Sequence, residues 1–82
     1  RRQFGRRRSQ LHAVIQVPGR PALPCVVHNI SDGGALLVCE RPTWLPFYFQ
    51  LVIESEGIEV QCELRHQTGN ATGVYFVKKQ QI

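Results

Sequence analysis

Two short polar clusters hold most of the side chains that could do chemistry. The first is RRQFGRRR at residues 1–8, with Arg1, Arg2, Arg6, Arg7 and Arg8. A guanidinium is a planar fork of N–H donors that pairs in bidentate fashion with a phosphate or with guanine O6 and N7. Arg2 and Arg6 have the spacing R-x-x-x-R, and Gly5 lets the backbone bend between them. The second cluster is NISDGG, in which Asn29, Ser31 and Gly34 have the spacing N-x-S-x-x-G. Asn29 can donate and accept, and Ser31 can donate to a phosphate oxygen. Gly33 and Gly34 let backbone N–H groups approach an anion, as in a phosphate-binding nest. Each cluster also has a plainer reading: a solvated basic tail for the first and a hairpin turn for the second.

The elements that must position these groups are short strands. LHAVIQV at 11–17 alternates, with Leu11, Ala13, Ile15 and Val17 on one face. PGRP breaks it, and LPCVVHNI at 23–30 is a second strand. SDGG is then a turn, and ALLVCE at 35–40 is a strand apolar on both faces. A Pro-bounded connection, RPTWLP, leads to FYFQLVIE at 47–54, where alternation turns Phe47, Phe49, Leu51 and Ile53 inward. SEG at 55–57 is a hairpin loop. IEVQCELRH at 58–66 alternates most cleanly, with Ile58, Val60, Cys62 and Leu64 in and Glu59, Gln61, Glu63 and Arg65 out. QTGNA turns the chain, and TGVYFV at 72–77 is the sixth strand. Six short strands and no helix predict an all-β fold, a small six-stranded antiparallel β-barrel or a sandwich. Closure into a barrel removes exposed sheet edges.

The chain has 82 residues, enough for one small domain with a limited core. Its organisation reads as a flexible basic arm at 1–10, a barrel at 11–77 and a tail at 78–82. The net charge is +4; half of the ten Lys and Arg residues lie in the arm, and the other five nearly balance six acidic residues. A basic arm on a near-neutral body suggests an anionic partner: a nucleotide, nucleic acid or a membrane surface. No stretch is long and apolar enough for a transmembrane helix. The start lacks an initiator Met and a signal-peptide pattern, as expected of an excised piece of a longer chain. Three cysteines, an odd number, do not suggest a secreted disulfide framework and fit a bacterial-type cytoplasm.

Taken in order, R-x-x-x-R and then N-x-S-x-x-G on a six-strand pattern resemble the PilZ domain, a bacterial module that binds cyclic di-GMP. TGVYFV also resembles that family's last strand, usually a G-V-x-F pattern, so the resemblance covers nearly the whole chain. It implies a six-stranded antiparallel barrel and a second-messenger receptor, not an enzyme. By the resemblance, Arg2 and Arg6 hold guanine and phosphate from the arm. Arg1 or Arg7 can share that work if the register shifts. Asn29 and Ser31 meet the ligand from the barrel, with Gly33 beside them, and Gly34 shapes the turn. The second motif begins with Asn29 rather than Asp, and His66 stands where many relatives have Trp. The resemblance also implies a partner protein or adjacent domain whose contacts change when ligand orders the arm. It implies no cofactor beyond the ligand and no metal.

Three other readings compete. Cys25 with His28 and Cys62 with His66 have spacings that suit zinc. Strand parity places Cys25 and His28 on opposite faces, and Cys62 falls in the inward apolar set. Catalysis lacks a legible nucleophile–base pair, and His12 and His28 read as strand-surface residues. Nucleic-acid binding is the nearest rival, because small barrels with basic arms bind RNA or DNA. Such surfaces interleave aromatic and basic residues for stacking. Here Phe47 and Phe49 are expected to point inward, and Trp44 either to be exposed or, as is commoner, to cover a barrel end.

Overall fold

The computed structural model describes residues 10–77. The arm up to Ser9 and the tail at 78–82 therefore lie outside the described residues, and Arg1, Arg2, Arg6, Arg7 and Arg8 with them.

Alternation builds each strand. In β1 (Leu11–Gln16), Ala13 and Ile15 are buried while His12 and Gln16 are exposed. In β2 (Leu23–His28) the inward pair is Cys25 and Val27, and in β3 (Gly34–Cys39) it is Leu37 and Cys39. In β4 (Tyr48–Ile53) Phe49, Leu51 and Ile53 are buried. β5 (Ile58–Thr68) turns Cys62 fully inward, with Ile58, Val60 and Leu64 against the same core. β6 (Ala71–Phe76) contributes Val74 and the hydroxyl-bearing Thr72.

The strands close into an antiparallel barrel in the order β1-β2-β3-β6-β5-β4, with β4 returning to β1. Closure pairs both edges of the sheet, which a domain this small otherwise exposes to other chains. Sequence neighbours join most of the ladder, but β3 pairs with β6 across a long stretch of chain. That register sets Gly34 against Tyr75 and Leu36 against Gly73.

Two connections help fill the interior. Between β2 and β3, Ile30 is fully buried, and between β3 and β4, Leu45 is nearly so. Burying an aliphatic side chain of this size contributes about 1.5–3 kcal/mol. One enters the core from the connection before β3 and the other from the connection after it.

Two local expectations are corrected. Phe47, expected inward, is 55% exposed. The β4–β5 ladder begins only at Tyr48 against Glu63, and Leu45 already occupies the core nearby, so Phe47 packs edge-on against Tyr48 instead, 4.8 Å between centroids. Trp44, expected to cover a barrel end, is 71% exposed, while its neighbour Leu45 is buried in the core. The expected hairpin loop at 55–57 does join β4 to β5, with Ile53 opposite Ile58, and its residues Glu54–Glu56 form a single 3-10 turn.

Candidate functional site

The β2–β3 connection is held by backbone geometry before any ligand is considered. Asn29 has a φ of 50°, a left-handed conformation that Asn adopts more readily than most residues. Its amide thus has a conformational reason to be there as well as a chemical one. After Ile30 plugs the core, the Ser31 N–H donates to the Gly34 carbonyl at 2.9 Å. The Ser31 hydroxyl reaches the same oxygen at 3.4 Å, a long contact that leaves it available to a better acceptor. Asp32 and Gly33 span the tip, and the Gly33 carbonyl accepts from the Phe76 N–H at 2.8 Å.

Gly34 differs from its expected place. It is the first residue of β3, and its lack of a side chain serves strand packing rather than turn shape. A Cβ there would run into the Val74 carbonyl oxygen and stand 3.3 Å from the Tyr75 α-carbon. Gly33, in contrast, has open space where a Cβ would go.

β5 and β6 supply the facing side of the site. The register slips between Leu64 and His66, so Leu64 opposes Val74 while His66 opposes Gly73. This bulge inserts Arg65 as an extra residue. Strict alternation would send His66 inward after Leu64, but the bulge leaves both Arg65 and His66 exposed. The His66 ring lies across Gly73: a Cβ on Gly73 would meet the imidazole, with Nε2 at 2.9 Å and Nδ1 at 3.0 Å. Arg65 places its guanidinium over the Tyr75 ring, 4.4 Å from the centroid, and donates to Glu63 Oε2 at 2.9 Å.

These pieces enclose one open groove of about 1200 Å³ over the outer face of β3, β6 and β5. Asn29, Ser31, Gly33 and Gly34 form one wall; Arg65, His66 and Tyr75 form the other. Leu36 and Gly73, register partners, lie between them. The groove offers an apolar floor, a cationic and aromatic wall, and a polar loop, which suits a flat, partly charged ligand.

The four barrel residues singled out from the sequence thus come together. Arg2, Arg6 and Arg7 lie outside the described residues. Sequence reading left out Arg65 and Tyr75 as site residues and left the role of His66 open. Alternation did mark Arg65 as outward, and a legible clue was the adjacent polar pair Arg65–His66 at the end of an otherwise strict alternation.

Strand parity separates Cys25 from His28 on β2, and the β5 bulge separates Cys62 from His66. Cys25 is buried while His28 faces outward opposite Leu36, and Cys62 is buried while His66 is exposed. Burial drives the Cys25 thiol up to about 12, with Cys39 and then Cys62 adding repulsion, and drives Cys62 up to about 12. Burial also raises Cys39. Buried and protonated at neutral pH, these three thiols are core residues and poor nucleophiles.

The described chain is thus a closed six-stranded barrel with a polar, glycine-containing loop on one side of a groove and Arg65, His66 and Tyr75 on the other. A sequence model described as PilZ domain matches residues 1–81, and the chain belongs to the PilZ domain family. That family is one of cyclic di-GMP receptor modules, which bind and regulate rather than catalyse. No curated protein matches the chain significantly. Among the described residues, no helix is long and apolar enough to cross a membrane.

Proposed function

We infer that this domain is a cyclic di-GMP receptor whose ligand lies in the groove between the Asn29–Gly34 segment and the Arg65–Tyr75 wall. The observation that carries the reading is the convergence of Asn29, Ser31, Gly33 and Gly34 on one groove, in a chain whose family match includes the R-x-x-x-R segment. The volume exceeds the roughly 300–1000 Å³ of ordinary small-molecule pockets, as a dinucleotide with two bases requires. Asn29 and Ser31 supply polar contacts from the barrel. Arg2 and Arg6, with Arg7 as the alternative if the register shifts, supply guanidinium contacts to guanine and phosphate from the arm at 1–10.

Binding then gathers the arm onto the barrel at 11–77, and the changed surface alters contacts with a partner protein or adjacent domain. Three free, buried thiols fit a reducing compartment such as the bacterial cytoplasm.

Calorimetric titration with cyclic di-GMP, run beside single-stranded DNA and RNA oligonucleotides, tests this reading. Saturable binding of the dinucleotide with weak, salt-sensitive oligonucleotide binding supports it. Tight oligonucleotide binding without dinucleotide binding replaces it with a nucleic-acid-binding module.

A further inference from the structure

We propose that Arg65, which lies outside both sequence motifs, is a ligand-binding residue of the barrel, its guanidinium plane forming a platform for one purine base. This rests on the cyclic di-GMP reading and assigns a specific moiety of that ligand to a specific side chain.

The β5 bulge places Arg65 and His66 on the groove side in succession, which regular pairing does not allow. A bulge that re-aims a side chain into a groove is a device found next to functional sites. Two fixed partners then hold the guanidinium. Glu63 accepts from one Nη, and the Tyr75 ring lies 4.4 Å from the guanidinium carbon. Glu63 and Tyr75 are themselves register partners on β5 and β6, so the sheet sets their separation. The Arg65 side chain nevertheless remains 46% exposed.

A lone surface ion pair contributes little to stability and needs no aromatic ring beneath it. What the arrangement provides is a guanidinium held in place beside the Tyr75 ring, on a side chain that lines the groove and is still partly exposed to it. Guanidinium groups stack on flat π systems, and orienting the plane beforehand lowers the ordering cost of binding. Glu63 also decides which part of the ligand belongs here. Its carboxylate offsets the Arg65 charge and repels a phosphate, whereas stacking does not depend on net charge. The base is therefore the moiety assigned to Arg65, and the phosphates are left to the motif residues. Tyr75 opposes Gly34 across β3 and β6, so the platform stands beside the end of the N-x-S-x-x-G segment. Tyr75 acts as a positioning residue in this scheme.

The test is calorimetric titration with cyclic di-GMP of the unmodified protein and of Arg65→Ala, Arg65→Lys, Tyr75→Phe and Tyr75→Ala, each with a thermal melt. Arg65→Ala is expected to weaken binding about tenfold, the range for loss of one stacked base. Arg65→Lys keeps the charge without the plane and is expected to stay nearly as weak. Tyr75→Phe should bind like the unmodified protein, and Tyr75→Ala should lose several-fold in affinity although Arg65 is present. If Arg65→Ala melts early, Arg65→Lys decides, since it retains the aliphatic stem. Full affinity in Arg65→Lys, or a change under twofold in a folded Arg65→Ala, overturns the platform while leaving the receptor reading intact. Failure of the unmodified protein to bind overturns the receptor reading, and the platform falls with it.

Discussion

The connection before β3 and the connection after it each send one aliphatic side chain into the barrel, Ile30 from the first and Leu45 from the second. Beyond that shared task they diverge. Around Ile30 stand Asn29, Ser31, Gly33 and Gly34, all lining the groove. Around Leu45 stand prolines and the exposed Trp44, held by Arg20, whose Nη1 donates to the Trp44 carbonyl at 3.0 Å.

The two arginine–aromatic pairs differ in the same way. Arg65 lies 4.4 Å from the Tyr75 centroid, between side chains that the sheet register fixes. Arg20 lies 5.9 Å from the Trp44 centroid, and its hydrogen bond is to a loop carbonyl. One arginine is aimed into a groove; the other ties two connections together. Burial explains Ile30 and Leu45 equally well, so the plugs say nothing about function. What burial leaves unexplained around Ile30, a positive-φ Asn, a hydroxyl, two glycines and a bulge opposite, is what marks the proposed site.

Truncating the plugs tests this contrast most forcefully. Ile30→Ala and Leu45→Ala should each cost about 2–5 kcal/mol of unfolding free energy in urea denaturation, from lost burial and the cavity left behind. Only Ile30→Ala should also weaken cyclic di-GMP binding by the molecules that remain folded. Equal losses of affinity would show that both connections serve the site.

Next in size is the effect at the glycines. Gly34→Ala should destabilise by about 1–3 kcal/mol, because its methyl group pushes against the β6 backbone at Val74. Gly33→Ala should stay within about 0.5 kcal/mol, since nothing stands within 4 Å of its Cβ position. Thermal melts compare them directly, and equal shifts would contradict the strand-packing role of Gly34.

The arm should matter for binding and not for folding. Arg2→Ala or Arg6→Ala is expected to cost about 1.5–3 kcal/mol of cyclic di-GMP affinity, with partial recovery by Lys. Arg2→Lys, Arg6→Lys and Arg8→Lys all binding like the unmodified protein at two salt concentrations would remove the R-x-x-x-R assignment.

Ser31→Ala should lower affinity by about 0.5–1.5 kcal/mol with no change in melting temperature. The turn keeps its backbone bond from Ser31 to Gly34, and the hydroxyl contact it loses is long. A marked fall in melting temperature at unchanged affinity would make this serine a turn residue only.

Arg20→Ala should have the smallest effect, about 0.5–1 kcal/mol on stability for an exposed cation–π contact, and none on affinity. A loss of binding there would connect the Trp44 connection to the site and end the comparison drawn above.

Sequence alone determined the strands, the core faces of most of them and the polar loop. Those features are local: alternation follows from the two-residue period of a strand, and Asn, Ser, Asp and Gly favour a turn for reasons internal to the segment. Ala13, Ile15, Val27, Leu51 and Cys62 are buried as their parity requires. Local order also carried the two motifs that mark the family.

Only the tertiary structure decided the other half of the site. Strict alternation sends Phe47 and His66 inward, but Phe47 precedes the β4–β5 ladder and His66 follows a bulge, so both are exposed. A bulge is a mismatch between two strands, and no count along β5 alone reveals it. Gly34 reads as a turn residue until β6 lies against it and the Val74 carbonyl claims the space of a side chain. The pairing of β3 with β6, and of β6 with β5, brings Tyr75, Arg65 and His66 opposite Asn29 and Ser31. Those residues are far apart in the chain, and their meeting is set by closure of the barrel, which pairs every edge at once.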